Sequence, residues 1–158
     1  MKKKKYLFLI FIIFLIDQIT KIIISNNINL NGSVTVIKNF FSLTYVKNTG
    51  AAFGFFSGKT LLITIISVFI FVYLLMELIK NKSNIKIINL SFSFILGGLI
   101  GNLYDRIVLG YVRDFMDFTI FNKGFAIFNI GDAFIVVGCF MFIIGALLEA
   151  RNDYKNRK

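Results

Sequence analysis

Four long apolar stretches, none interrupted by proline, constrain this chain more than any other feature. They lie at residues 6–24, 61–79, 85–104 and 130–148. A helix needs about 20 mostly apolar residues to cross a bilayer, and it satisfies its own backbone hydrogen bonds in lipid. Charged residues make up only 16% of the chain, against roughly 25% in a soluble domain. The sequence therefore predicts an all-α membrane protein with four transmembrane helices.

The positions of the lysine and arginine residues predict how these helices are oriented. Most of the eighteen lie before helix 1, between helices 2 and 3, and after helix 4. Because basic loops stay on the cytoplasmic side, both termini are predicted to be cytoplasmic. No basic face is interleaved with aromatic residues, so the net charge of +10 does not indicate binding to nucleic acid. The first stretch lacks a small-residue cleavage site, which indicates an anchor and not a cleaved signal peptide.

Two segments are then predicted to lie outside the membrane. Residues 25–59 are rich in Val, Thr, Phe and Tyr and partly alternate, which predicts a strand or hairpin. We expect this part to form a small β-like outer flap between helices 1 and 2. Residues 105–129 form the second outer segment, predicted to fold back as a loop. No repeat or linker divides the chain, so residues 1–158 are predicted to form a single integral membrane domain.

Polar residues cluster at one predicted depth, near the outer ends of the helices. A carboxylate near lipid costs on the order of several kcal/mol unless it is paired, hydrated or neutralised. Carboxylates from three separate segments at one level therefore indicate a shared polar pocket. The polar residues at this level are Asp17, Lys21, Asn48, Asn102, Asp105, Arg106, Asp114, Asp117, Asn129 and Asp132.

The charged residues of the first and third helices also have structural interpretations. Asp17 and Lys21 are four residues apart, with the acid first, which favours an ion pair along one helix. Asp105 and Arg106 are adjacent and are candidates for a simple charge pair at a helix end. Such pairs would stabilise the helices without taking part in any chemistry.

The remaining candidates have structural interpretations as well. Asn129 and Asp132 stand where helix 4 begins, and both residue types favour helix N-termini, where they bind exposed backbone N–H groups. Asp117 is interpreted as a solvated charge at the membrane interface. Cys139, the only cysteine, lies in an apolar stretch and is interpreted as a small buried hydrophobic residue.

The absence of histidine limits the chemistry that this chain can perform. It excludes Ser-His-Asp and Cys-His triads and HExxH zinc sites. Asp114 follows helix 3 and Asp132 opens helix 4, and the residues between them suffice for a loop that folds back. Two close carboxylates do not both ionise easily, so one keeps its proton while the other can accept a proton from water. This pair predicts general acid–base hydrolysis with no metal and no cofactor.

Five short motifs occur in order along the chain: DQITK at 17–21, NTGAAFG at 48–54, GNLYDR at 101–106, GYVRDFMDF at 110–118 and FNIGD at 128–132. They resemble those of the lipoprotein signal peptidase (signal peptidase II) family of bacterial intramembrane aspartyl proteases. Each motif alone is weak. Five in order, on four helices of this length, are specific, and the resemblance spans almost the whole chain.

The resemblance implies an activity, a location and a set of site residues. Such enzymes remove the signal peptide of bacterial prolipoproteins, cutting just before a diacylglyceryl-modified cysteine. They lie in the cytoplasmic membrane with the active site near its outer face, and globomycin inhibits them. Nothing demands more than a monomer. Asp114 and Asp132 match the catalytic pair. The positions that match substrate-binding or supporting residues are Asn48, Gly50, Asn102, Arg106, Asn129, Asp17, Lys21 and Asp105.

Two positions depart from the pattern that the resemblance implies. Gly131 stands where the family usually has alanine, and both residues are small. Arg113 precedes Asp114, at a position where an aliphatic residue is common. An arginine close to Asp114 would lower the pKa of that carboxyl, but we predict that the Arg113 side chain points away along the surface.

Four other functions remain as alternatives. A presenilin-like protease would need a GxGD motif, and residues 129–132 read NIGD. A proton carrier would need carboxylates in a file across the membrane. A structural adaptor would need no carboxylate chemistry. A Ser-Lys protease would have to use Ser25 with Lys21, or Ser57 with Lys59.

Overall fold

The computed structural model describes residues 3–50, 56–81, 83, 85–121 and 123–156. Within these residues four long helices carry the fold, and each is long and apolar enough to cross a membrane. They are α1 (Lys4–Asn27), α2 (Thr60–Lys80), α3 (Lys86–Leu109) and α4 (Ile130–Asn156). The prediction of four transmembrane helices is confirmed. The cytoplasmic location of the termini stays a prediction.

Helix α3 is the centre of the bundle and packs against α1, α2 and α4. In an 18-residue apolar stretch of α3, 61% of the residues are buried, against 11% in the corresponding stretches of α2 and α4. Glycines allow the closest approach. A Cβ at Gly98 of α3 would overlap the carbonyl of Gly131 in α4, and one at Gly138 would meet Ile95. The small residues therefore bring the start of α4, with Asp132, against α3.

The apolar core of the bundle is small because most apolar side chains face outward. Its buried residues are Tyr6, Ile10, Leu78, Ile88, Phe92 and Leu96. The side chain of Cys139 in α4 is exposed, so the expectation of a buried cysteine is wrong. The outward face of a spanning helix is as apolar as its inward face. Hydrophobicity alone therefore does not identify the buried positions.

An antiparallel sheet lies beside the helix ends. Its strands are β1 (Ser33–Ile37), β2 (Phe41–Asn48), β3 (Val112–Ile120) and β4 (Lys123–Gly124), in that order across the sheet. The predicted hairpin between helices 1 and 2 is confirmed as β1 and β2. The predicted loop after helix 3 is wrong over residues 112–120, which form β3. This strand pairs with β2 from a distant part of the chain, a partner that local sequence does not reveal.

The C-terminal end of α3 lies further along the chain than predicted. The helix continues past Tyr104 to Leu109, and Gly110 ends it with a φ of +79°, a left-handed conformation that glycine adopts easily. Asp105 and Arg106 therefore belong to the helix. Consecutive helical residues project about 100° apart, so these two side chains point in different directions. The predicted Asp105–Arg106 pair is not formed, since Asp105 pairs elsewhere.

Candidate active site

Asp114 and Asp132 line one cavity, of about 590 Å³. Asp114 projects from β3, and Asp132 lies in the first turn of α4. The two carboxylates share the cavity with Asn48 and Arg106. The remaining lining is apolar and comes from Val112, the segment 125–128 and the first turns of α4, where Val136 and Val137 are exposed. The cavity thus combines four polar side chains with an apolar lining that includes the exposed residues Val136 and Val137 of α4.

Asn129 joins the two aspartates. Its Nδ2 donates to Asp114 Oδ1 at 2.6 Å, and its backbone N–H donates to Asp132 Oδ2 at 3.2 Å. The Asn129 side chain is fully buried. One residue therefore binds both carboxylates and holds them near each other.

Asn129 and Asp132 also cap α4. Asn129 Oδ1 accepts a hydrogen bond from the backbone N–H of Asp132 at 2.9 Å, and Asp132 returns the contact to the N–H of Asn129. This reciprocal arrangement is a capping box. The structural interpretation of these residues is thus confirmed, and the same contacts place them in the cavity.

The carboxyl of Asp114 is almost completely buried. It accepts a second amide hydrogen bond from Asn48 Nδ2 at 2.8 Å. Burial and then the negative charge of Asp132 raise the pKa of Asp114 from 3.8 to about 7, against the opposing effect of the two amide donors. Asp114 can therefore hold a proton near neutral pH.

Asp132 is held from the other side by a chain of contacts that reaches α1. Asn102 Nδ2 donates to Asp132 Oδ1 at 2.7 Å, and Lys21 Nζ donates to Asn102 Oδ1 at 2.8 Å. Because Lys21 occupies the amide oxygen, the amide nitrogen faces Asp132. Lys21 also pairs with Asp17 at 2.7 Å, which confirms the predicted ion pair. Asp17 in turn accepts the backbone N–H of Gly131 at 2.8 Å.

Arg113 is buried, and its predicted location on the surface is wrong. Its guanidinium pairs with Asp105 through two hydrogen bonds, from Nη2 to Oδ1 at 2.7 Å and from Nε to Oδ2 at 3.1 Å. Successive side chains of a strand point to opposite faces. Since Asp114 faces the cavity, Arg113 faces the helices, where Asp105 lies.

Arg106 lines the cavity and is bonded to Gly50. Arg106 Nη2 donates to the carbonyl of Gly50 at 3.1 Å, and the N–H of Gly50 donates to Asn48 Oδ1 at 2.8 Å. Over the described ranges, Arg106 Nε is a buried donor without a hydrogen-bond partner. The rest of the NTGAAFG motif, at 51–54, lies outside the described residues.

The structure brings most predicted site residues to one place and leaves others outside it. Asp117 does not line the cavity; it is half-buried and accepts the hydroxyl of Thr44 at 2.8 Å, so it is not simply solvated. Ser25 donates to its own helix at Ile22, and Lys21 is occupied by Asp17 and Asn102. A Ser25–Lys21 pair is therefore not formed.

Sequence reasoning missed Gln18 and Arg113 as parts of this polar cluster. Gln18 is buried and accepts a hydrogen bond from Arg113 Nη2 at 2.8 Å. The available signal was a polar residue next to Asp17 within an apolar helix, since intramembrane polar groups rarely lack a role. In the described ranges, no group of three Cys, Asp or Glu residues comes together as a candidate metal site.

The chain is similar to known bacterial proteins over most of its length. The family model of signal peptidase (SPase) II matches residues 9–148. A lipoprotein signal peptidase of Caldanaerobacter subterraneus is 48% identical over 70% of this chain and 75% of the relative. One of Staphylococcus haemolyticus is 40% identical over 79% of this chain and 82% of the relative.

Two solved structures have the same fold. Both are bacterial membrane enzymes solved by the in meso method, one at 2.3 Å and one at 1.9 Å resolution. The first superposes with a TM-score of 0.86 at 33% identity and covers 94% of this chain and 90% of the other. The second has a TM-score of 0.81 at 34% identity, with coverage of 90% and 92%. By its family match and its relatives, this four-helix membrane protein belongs to the signal peptidase II family.

Proposed function

We propose that this chain is an aspartic endopeptidase that removes the signal peptide from bacterial prolipoproteins, cutting just before the diacylglyceryl-modified cysteine. Its relatives are named lipoprotein signal peptidases, which supports the substrate class. The observation that carries the catalytic proposal is the shared cavity of Asp114 and Asp132, with both carboxylates bound by Asn129. Residues 1–158 form one integral membrane peptidase domain in this proposal.

The two aspartates divide the acid and base roles. Asp132 takes a proton from a water molecule, whose oxygen attacks the scissile carbonyl carbon. Asp114, whose pKa is raised to about 7, gives its proton to the carbonyl oxygen. Asp132 then gives the proton that it took from water to the leaving nitrogen as the C–N bond breaks, and Asp114 takes a proton from a hydroxyl of the tetrahedral intermediate, which restores both aspartates. The products are a signal peptide with a free carboxyl end and a lipidated cysteine with a free amine.

The surrounding donors orient the aspartates and the substrate. Asn48, Asn102 and Asn129 each donate to a catalytic carboxylate, which fixes its orientation. Arg106 Nε is a buried donor available to a substrate carbonyl, and such donors are usually paired. Gly50, held by Arg106 and Asn48, fixes the chain just after β2, the second strand of the flap. Asp17, Lys21 and Asp105 keep this cluster together in the bundle.

The acyl chains of the substrate rest in the bilayer in this proposal. The apolar lining of the cavity includes the exposed residues Val136 and Val137 of α4, which supports such an arrangement. The flap of β1 and β2 clamps the extended peptide, in part by strand pairing. Globomycin-type inhibitors would occupy the same cavity. The enzyme would act as a monomer in the cytoplasmic membrane, with its site near the outer face.

The test is cleavage by the purified protein in detergent. A diacylglyceryl-modified prolipoprotein is the substrate, and the shift of the product on a gel is the readout. We expect Asp114→Asn and Asp132→Asn to lower turnover by at least roughly 1,000-fold, because each removes one member of the acid–base pair. Asp117→Asn is the matched control: it neutralises an aspartate of the same strand outside the cavity and should leave turnover intact.

Full turnover by either site variant would refute the proposal. EDTA should not change the rate, and inhibition that added metal reverses would point to a different chemistry. Replacement of Ser25 and Ser57 by alanine should also leave cleavage unchanged. Loss of cleavage in those variants would favour a serine nucleophile.

A further inference from the structure

Arg113 places a buried cation on the strand that carries Asp114, and the proposed reaction has no step for it. Its side chain is only 10% exposed. The guanidinium binds both oxygens of Asp105, and the backbone N–H of Arg113 also donates to Asp105 Oδ2, at 3.0 Å. One carboxylate of α3 therefore holds both the main chain and the side chain of β3, directly beside Asp114.

Through Gln18, Arg113 also binds α1. Arg113 Nη2 donates to Gln18 Oε1 at 2.8 Å, and Gln18 Nε2 donates to the carbonyl of Gly101 at 3.1 Å. Because the guanidinium occupies the amide oxygen, the amide nitrogen has to face α3. The planar guanidinium with its several donors thus fixes β3 against two helices at once.

Asp105, which binds Arg113, is also connected to Asp132 through a chain of polar contacts. Asp105 Oδ2 lies 3.6 Å from Lys21 Nζ. Lys21 donates to Asn102, which donates to Asp132. The carboxylates of Asp17 and Asp105 are balanced by the cations of Lys21 and Arg113. Loss of Arg113 would leave this buried cluster with an excess negative charge and free one end of the chain of contacts.

We propose that Arg113 is a positioning residue, whose guanidinium sets the spacing between Asp114 and Asp132 by fixing β3 against α1 and α3. The inference rests on the proposed function of the two aspartates. Arg113 lines a separate cavity, with Gln18, and not the one that holds the two aspartates, so we give it no contact with the scissile peptide. Its effect therefore belongs to the chemical step and not to substrate binding.

The test separates kcat from KM in Arg113→Met, measured with a diacylglyceryl-modified prolipoprotein alongside the thermal unfolding midpoint. We expect kcat to fall roughly tenfold or more, since small displacements of catalytic groups can cost about 100-fold. We expect KM to stay within about twofold. Lys47→Met is the matched control, because Lys47 lies opposite Arg113 on β2 and is exposed. Its kcat should not change.

Two further variants test whether Arg113 acts through Asp105. Arg113→Lys keeps the buried charge but not the several donors of the guanidinium, so its kcat should lie between those of the unaltered protein and Arg113→Met. The double variant Asp105→Asn/Arg113→Met should lose no more kcat than Arg113→Met alone, because residues in one network are not additive.

Three results would overturn the inference. They are an unchanged kcat in folded Arg113→Met or Arg113→Lys, a kcat loss that only follows the unfolded fraction, and multiplying losses in the double variant. If Asp114→Asn abolishes turnover while Arg113→Met has full kcat, only this inference fails. If Asp114→Asn itself retains turnover, the proposed function fails, whatever Arg113 does.

Discussion

At the scale of single residues, Asn129 shows how one side chain can serve both the fold and the site. Its oxygen caps α4 by accepting the N–H of Asp132, and its nitrogen donates to Asp114. An amide has both an acceptor and a donor, so asparagine does both at once. A carboxylate at this position could cap the helix but could not donate to Asp114.

The double role of Asn129 predicts a separation of stability from catalysis. Both variants lose the hydrogen bond to Asp114, but Asn129→Ser keeps a side chain that caps the helix, so it should be more stable than Asn129→Ala by about 1 kcal/mol. Both variants remove the donor to Asp114 and should lower turnover by roughly tenfold or more. Thermal unfolding and the cleavage assay measure the two effects. A serine variant with full turnover would contradict the role given to Nδ2.

The raised pKa of Asp114 predicts a dependence of stability on pH. The folded protein keeps the Asp114 proton up to about pH 7, whereas the unfolded chain releases it near 3.8. The contribution of this group is therefore complete below about pH 4 and is lost as the pH rises to about 7. Asp114→Asn cannot ionise and lacks this loss. Its advantage should grow with pH to the order of a few kcal/mol.

Thermal unfolding in detergent from pH 4 to 8 measures this difference. The unfolding midpoint of Asp114→Asn, relative to that of the unaltered protein, should rise across this range and level off above about pH 7. A difference that stays constant with pH would mean that burial does not hold the proton on Asp114.

At the scale of the secondary-structure elements, the position of the site depends on how closely α3 and α4 pack. Gly98 and Gly131 bring the two backbones together, and Asp132 follows directly after Gly131. Strand β3 is placed by its pairing with β2, where Val46 lies opposite Asp114. The positions of the two proposed catalytic aspartates are therefore set by two contacts between elements, one between helices and one within the sheet.

A single methyl group at the helix contact should disturb this arrangement. Gly98→Ala places a Cβ against the Gly131 carbonyl, which is backbone and cannot rotate away. We expect a loss of about 1–3 kcal/mol in stability and a lower kcat, because α4 must shift with Asp132. Gly124→Ala is the control, since its Cβ would meet nothing within 4 Å. Equal midpoints and equal kcat in the two variants would contradict the packing argument.

At the scale of the whole molecule, the predicted orientation gives the site its side of the membrane. Polar groups of α1, α3 and α4 meet β2 and β3 at one end of the bundle. At the other end Lys3 donates to Asn89 at 2.6 Å, where α1 begins beside α3. If the basic end is cytoplasmic, the aspartates lie near the outer face, where a translocated prolipoprotein would arrive.

Labelling of single cysteines tests this orientation. In a Cys139→Ser background, a membrane-impermeant maleimide should label Asn39→Cys, in the β1–β2 turn, in intact spheroplasts. It should label Asp153→Cys, near the end of α4, only after permeabilisation. Cleavage activity of both variants is the control for correct insertion. The reverse labelling pattern would contradict the orientation and the outer location of the site.

The sequence by itself determined the four helices, the clustering of polar residues near one end of these helices, and the prediction that Asp114 and Asp132 lie close together. Length and apolar character are local properties, and lipid leaves few backbone structures available. The five sequence motifs also indicated the family to which the chain belongs. The β1–β2 hairpin could also be predicted, because the alternation of apolar and polar residues along a strand is a local property of the sequence.

Only the tertiary structure decided how the polar residues pair. Asp105 binds Arg113 and not its neighbour Arg106, and the Arg113 side chain is buried although it was predicted to point away along the surface. Strand β3 forms by pairing with β2, which lies far from it in the sequence. The cavity depends on the close packing of α4 against α3 at Gly131. Sequence spacing tells which residues are near along one element. Which charges meet across elements depends on packing, because a buried charge takes the partner that the fold brings within reach.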